Sequence, residues 1–139
     1  MRFLTPVFNT ALLVSLTCVH AALAAPAEAG VDLLRHSGFK GGVVVHLGCG
    51  DGKSTAALDG GDAFLVHGLD TEAEQIESAR EHLDSRGSYG RVSAEVFDGR
   101  NLPYVDGLVN LMVSEDLGDV SMAEIGRALA PGGGADFRK

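Results

Sequence analysis

Three glycines spaced two apart, Gly48, Gly50 and Gly52, separate a β-branched run from a helical one, and they constrain this chain more than any other feature. The run before them, Val43-Val44-Val45-His46-Leu47, is short and apolar, as a strand buried in a parallel sheet must be. Lys53 to Leu58 has the composition of a helix, and Asp59-Gly60-Gly61-Asp62 closes it. Lacking Cβ atoms, the glycines permit a sharp turn and let a ligand touch the backbone. Taken alone, such a turn can also be a purely structural β-to-α connection.

The spacing separates the possible ligands. Gly52-Lys53-Ser54 imitates the end of a P-loop, but that loop needs four residues between its first glycine and the Gly-Lys pair. Gly48 leaves only three, and position 47 is Leu. A dinucleotide turn needs Gly-x-Gly-x-x-Gly, whose third glycine would fall on Lys53.

The rest of the chain repeats the strand-helix alternation. Glu28 to Ser37 predicts a short helix with Leu33 and Leu34 inward and Gly38 at its C-cap. Ala63 to Leu69 reads as a second strand with Asp70 at its end. Thr71 then stands as an N-cap candidate with Glu74 three residues on, and Ile76, Ala79 and Leu83 recur at helical spacing. Val92 to Phe97 alternates as a third strand ending at Asp98-Gly99, and Leu108 to Val113 makes a fourth. Ser121 to Leu129 predicts an amphipathic helix stopped by Pro131-Gly132-Gly133-Gly134, with a fifth strand starting at Ala135. This order implies βαβ units and a parallel sheet, whose ligand crevice lies at the strands' C-terminal ends. Acidic residues and glycines gather at those ends.

With those elements in place, Val43 to Leu58 resembles the first motif of class I S-adenosylmethionine (SAM)-dependent methyltransferases, in its Leu-Gly-Cys-Gly-x-Gly form. His67-Gly68-Leu69-Asp70 is similar to the second motif, Phe97-Asp98-Gly99 with Leu102-Pro103-Tyr104 to the third. Glu124 to Gly133 is similar to the Arg-x-Leu-x-Pro-Gly-Gly segment before the fifth strand. The resemblance implies a three-layer α/β, Rossmann-like fold with strand order 3-2-1-4-5. It implies SAM as cofactor, methyl transfer to an acceptor it does not name, and a binding set of Gly48, Cys49, Gly50, Gly52, Asp70, Thr71, Asp98 and Gly99. In that set Asp70 takes the ribose hydroxyls and Asp98 the adenine amino group. A non-catalytic, exported binding or scaffold domain that keeps the fold is the alternative. The family's sheet continues to a sixth and seventh strand, so the resemblance implies a C-terminally incomplete domain with an open edge. The family usually carries Asp or Glu where His46 stands, and Asp at the start of the fourth strand, where this chain has Asn110. The run from Val44 to Lys53 also resembles methyltransferase-like domains at the front of large exported bacterial proteins that continue into quinoprotein-like β-propeller repeats.

Arg2, an apolar run from Leu4 through Leu23 and a small-residue exit at Ala24-Ala25-Pro26 have the layout of a secretory signal peptide. The expected organisation is a signal peptide at 1–25, a lead-in segment at 26–42 and the methyltransferase-like domain at 43–139. The product is then exported, and meets a membrane only through an uncleaved signal. Cys18 leaves with the signal, so Cys49 has no intramolecular partner and reads as a small filler. The formal charge of -8, without a Lys/Arg cluster, argues against nucleic acid as the partner. His46 and His67, without a carboxylate at ligand spacing, read as strand-end packing rather than a metal pair. Glu115 and Asp116 read as solvated loop charges.

Overall fold

A computed structural model describes residues 26–138, and of their side chains those from Gly30 onward. The expected signal peptide, Cys18 included, lies outside the described residues. Nine elements follow in the order α1 (Pro26–Ser37), β1 (Gly42–Leu47), α2 (Lys53–Ala57), β2 (Phe64–Asp70), α3 (Ala73–Ser85), β3 (Val92–Val96), β4 (Val109–Ser114), α4 (Met122–Ala128) and β5 (Leu129–Phe137). The five strands form one parallel sheet in the order β3-β2-β1-β4-β5, as the resemblance implies.

Alternation along the strands divides the core in two. Val44, Val66, Leu111 and Val113 face one side, where Leu34 of α1, Ala56 of α2 and Ile76, Ala79 and Leu83 of α3 cover them. Val45, Leu47, Leu69 and Met112 face the other, beneath Ile125 and Ala128 of α4 and Leu102 of the loop after β3. Helices on both faces make three layers. Burying Leu47, Leu69, Ile76, Leu83, Met112 and Ile125 fully contributes about 1.5–3 kcal/mol each before chain entropy is set against it.

Helix α1 packs into this body through a close backbone approach. A Cβ on Gly30 would lie 2.2 Å from the carbonyl oxygen of Ala57, so only glycine lets α1 rest on α2. Leu34 enters the core while Leu33 is half-buried.

Two local expectations are corrected. The N-cap of α3 is Glu72, not Thr71, and it makes no side-chain cap bond. The Glu72 N–H donates instead to Oδ1 of Asp70 at 3.1 Å. The second correction concerns β5, which begins directly at Leu129 rather than at Ala135. Leu129 pairs with Val109, and pairing resumes at Gly134 with Leu111 after a slip that absorbs Ala130 to Gly133. Pro131-Gly132-Gly133 therefore bulges a strand where the sequence reads a helix stop. The bulge needs glycine, because a Cβ on Gly133 would lie 2.8 Å from the Ala130 carbonyl oxygen.

Asn110 sits near the N-terminal end of β4, opposite the crevice. Its Oδ1 accepts the Val43 N–H at 2.9 Å, tying β1 to β4. Gly42 makes room for it, since a Cβ there would lie 2.1 Å from that oxygen.

Candidate functional site: a cleft at the strand ends

The glycine loop is held to the end of β2 by backbone bonds. The Gly48 and Cys49 N–H groups both donate to the Leu69 carbonyl, at 2.8 and 3.1 Å. Gly48, Gly50 and Gly52 have φ of 73°, 51° and 78°, a region that β-carbons disfavour. They differ in surroundings. A Cβ on Gly52 would lie 2.8 Å from Cβ of Ala79, so the loop touches α3 there. A Cβ on Gly48 or Gly50 would meet only ordinary contacts, the Asp116 carbonyl oxygen at 3.7 Å and Gln75 Oε1 at 4.0 Å. Lys53 pairs with Asp51 at 2.7 Å, which turns the P-loop-like lysine onto its own loop.

Asp70 joins this loop to the next element. Its Oδ2 accepts the Gly50 N–H at 3.0 Å while Oδ1 accepts the Glu72 N–H. Each carboxylate oxygen has a second lone pair. The side chain is thus fixed in direction yet keeps an acceptor on each oxygen for a ligand. One carboxylate can thus hold both the glycine loop and the turn before α3 and still offer acceptors to a ligand.

Five of the eight expected residues, Gly48, Asp70, Thr71, Asp98 and Gly99, line a cleft of about 450 Å³. That lies within the roughly 300–1,000 Å³ typical of small-molecule sites. Three do not line it. Gly50 acts through Asp70, and Gly52 is spent against α3. The Cys49 side chain is turned inward over Gly68, whose Cβ would lie 2.9 Å from that of Cys49. Burial, then the charge of Asp70, pushes the Cys49 thiol up to about 12, which suits a filler and not a nucleophile.

Asp98 is exposed and held by Arg100 N–H and Asn101 N–H on Oδ1, at 2.8 and 2.7 Å, and by the Asn101 amide on Oδ2 at 2.7 Å. Those bonds, the Asn101 side chain's first, lower its carboxyl from the ordinary value. Gly99 has φ 79°, and a Cβ there would lie 2.9 Å from Cγ2 of Thr71. The second and third motifs are in contact at this point.

Phe97, Asp116, Leu117 and Asp119 also line the cleft and were not singled out as ligands by the sequence. Their signal was position alone: they follow the ends of β3 and β4. Glu115 and Asp116 are solvent-exposed, as expected of loop charges, yet Asp116 also forms part of the wall. The Glu124–Gly133 segment works differently. Arg127 donates to the Leu102 and Tyr104 carbonyls, to Asp106 and to Glu124, while Glu124 accepts the Leu102 N–H. It clamps the loop that leads away from Asp98 and touches no cleft atom.

His46 and His67 lie on opposite faces, since Val45 and not His46 pairs with His67. His46 is buried with Nδ1 2.8 Å from Thr55 Oγ1, and His67 has Nδ1 2.7 Å from the Tyr104 hydroxyl. Burial lowers both imidazoles from their ordinary value. Among the described residues no group of His, Cys, Asp and Glu is placed to hold a metal ion.

Known proteins match this arrangement. The family profile described as "Methyltransferase domain" matches residues 44–133. Methyltransferase GfsG of Streptomyces halstedii is 34% identical over 96 residues, covering 65% of this chain and 34% of that protein. O-methyltransferase cnsE of Penicillium expansum is 30% identical over 115 residues, covering 76% and 39%. This chain thus spans little more than a third of the length of these relatives. A Methanococcus maripaludis protein assigned as a SAM-dependent methyltransferase superposes with a TM-score of 0.68 at 23% identity, covering 81% of this chain and 56% of that one. With the profile running from β1 into β5, over well more than half of the residues, the chain belongs to the methyltransferase-domain family.

Proposed function

We propose that this chain binds SAM in the cleft at the strand ends and serves methyl transfer from it. The observation that carries this reading is the fixed carboxylate of Asp70, with one free acceptor position on each oxygen, beside the open backbone of Gly48. The cleft suits the cofactor. Asp70 accepts from two ribose hydroxyls, and Oδ2 of Asp98 keeps a lone pair for an adenine amino group. Phe97 and Leu117 give apolar walls for a purine. Asp70, Asp98, Asp116 and Asp119 lend the cleft a negative field that favours a cationic ligand. When bound, SAM supplies an electrophilic methyl group on its sulfonium. The residues of this chain then orient and hold, and positioning of this kind can carry much of the barrier reduction.

Calorimetry of the full chain with SAM and with S-adenosylhomocysteine tests the reading. Saturable binding that Asp70→Ala weakens is expected, and a folded chain that binds neither ligand would overturn it. His46 favours a second reading, a binding domain without turnover. A neutral, buried imidazole stands where the resembling motif carries a carboxylate. Acceptor-dependent release of S-adenosylhomocysteine separates the two. We also read the chain as exported on the leader at 1–25, so mass spectrometry of the secreted product should place its N-terminus near residue 26. An intact Met1 on a cytosolic product would remove that reading.

A further inference from the structure

Two walls of the cleft meet at the middle of the sheet. The end of β1 gives one, through Leu47 and Gly48, and the loop after β4 gives the other, through Asp116 to Asp119. Ser114, the last residue of β4, lies where they join. It pairs with Leu47 and is only 1% exposed. Its hydroxyl oxygen is 2.7 Å from the Asp116 carbonyl oxygen and 3.3 Å from that of Leu47. One hydroxyl has one proton, and the shorter contact takes it. The Asp116 carbonyl oxygen so held lies 3.7 Å from where a Cβ on Gly48 would stand. The spacing of the two walls is set at this bond.

The loop follows its first residues as a unit. Asp116 Oδ1 accepts the Gly118 N–H at 2.9 Å, the Val120 N–H donates to the Leu117 carbonyl at 3.0 Å, and Val120 is buried in the core. Leu117 is carried in that turn. Among the described residues, Ser114 is the one side chain outside the loop that bonds to the loop's backbone. The other link between these loops and the third motif, Arg100 to Asp119 at 3.5 Å, joins side chains that are 73% and 74% exposed, where solvent leaves an ion pair little strength.

We propose that Ser114 is a positioning residue for the cofactor: its hydroxyl fixes the loop after β4 against the glycine loop and so sets Leu117 where it packs on the purine. The proposal rests on the SAM-binding reading above. Ser114 does not itself line the cleft, so it acts through the loop and not by touching the ligand. Losing the hydroxyl frees the Asp116 carbonyl from β4, and the turn that carries Leu117 is then held to the sheet only at its Val120 end.

The test measures S-adenosylhomocysteine affinity and urea stability of the full chain for the parent, Ser114→Ala, Leu117→Ala and the double variant, with Glu124→Gln as a control. Ser114→Ala should bind about three- to tenfold more weakly than the parent. Glu124→Gln should lose stability without losing affinity, because Glu124 touches no cleft atom. The decisive comparison is the double variant. If Ser114 acts through Leu117, removing the hydroxyl should cost less affinity in the Leu117→Ala background than in the parent, since residues that serve one contact are not additive. Ser114→Cys is close in size and a weak donor, so its affinity should fall between parent and Ser114→Ala. Should Ser114→Ala prove too unstable to assay, Ser114→Cys and its double variant with Leu117→Ala carry the same comparison. Unchanged affinity on loss of the hydroxyl, or equal losses with and without the Leu117 side chain, would overturn the positioning role and leave Ser114 a stability residue. A parent chain that binds no S-adenosylhomocysteine removes the SAM reading, and this proposal with it. A parent that binds while the Ser114 variants bind equally well removes the proposal alone.

Discussion

The two sides of β1 are built by different rules. On one side β1, β2 and β3 pair without interruption, Gly42 to Leu47 against Phe64 to Leu69 and Val66 to Asp70 against Val92 to Val96. Each of these strands ends in a residue or turn that faces the cleft: Gly48 after β1, Asp70 on β2, Asp98-Gly99 after β3. On the other side β4 and β5 pair across a slip, and only loop residues after β4 reach the cleft. The difference teaches that the cofactor side is specified by local chemistry, glycine and carboxylate at fixed strand ends. The β4–β5 side is specified by what happens to lie beside it.

If so, damage to the glycine loop should be the most severe and should sort by surroundings. Gly52→Val combines a left-handed φ with a Cβ driven into Ala79. Strain of about 1–3 kcal/mol and overpacking of a similar size together consume a large part of a typical stability of about 5–15 kcal/mol. Gly50→Ala meets only the strain, because the nearest atom to its Cβ is Gln75 Oε1 at 4.0 Å. Urea denaturation should therefore rank Gly52→Val far below Gly50→Ala. Equal losses would show that the contact with α3 contributes nothing.

Next in size is Asp70→Ala, read in affinity. A hydrogen bond to a charged group is worth about 1.5–3 kcal/mol, so SAM binding should weaken about 10- to 150-fold. A deoxyribose analogue should lose little further affinity in that variant. Additive losses would mean that Asp70 serves the loop and α3 but not the ribose.

The same division explains what the sequence made legible. The alternation of strands and helices and both helix faces could be read because each depends on neighbours in the chain, whereas the strand order and the cleft residues Gly48, Asp70, Thr71, Asp98 and Gly99 came from the resemblance to the methyltransferase motifs. That Thr71 is not the N-cap could not be read, since α3 starts one residue later, after a turn in which Asp70, itself held by the Gly50 N–H, accepts the Glu72 N–H. Pro131-Gly132-Gly133 reads as a stop by local propensity, yet β4 supplies a pairing edge that extends a bulged strand through it. The direction of Cys49 was hidden as well, because it follows from the missing Cβ of Gly68 on the adjacent strand. Asn110, a departure from the family pattern, proved to bind β1 to β4 at the far end of the sheet.

A smaller effect should separate the α4 clamp from the cleft. Bonds from Arg127, then the Leu102 N–H, hold the Glu124 carboxyl down at about 2, from an ordinary 4.5. A depressed folded-state pKa contributes stability that is full above the unfolded value and lost as pH falls through the folded one. Melting temperature should thus fall more steeply between pH 4.5 and about 2 in the parent chain than in Glu124→Gln. At neutral pH the variant should melt lower but bind SAM with little change, since the clamp touches no cleft atom. Parallel acid profiles for the two proteins would remove Glu124 as a stabilising charge.

The smallest effect should come from the outer edge of β5. Among the described residues no strand lies beyond it, and open edges favour association. Half of this edge is already blunted: the slip at Ala130 to Gly133 disrupts the ladder, and Pro131 has no N–H to offer. The other half, Gly134 to Phe137, pairs regularly with Leu111 to Ser114 and leaves Ala135 and Phe137 exposed. Any self-association should therefore run through this second half. Ala135→Lys places a charge there without touching the core, so monomer stability should change by no more than about 0.5 kcal/mol. Sedimentation at increasing concentration should show the parent chain associating and Ala135→Lys doing so less. If the parent sediments as a monomer with a sharp, reversible unfolding transition, the bulge and proline suffice to protect the edge. If both associate equally, the contact lies elsewhere, and the exposed pair is an ordinary apolar surface.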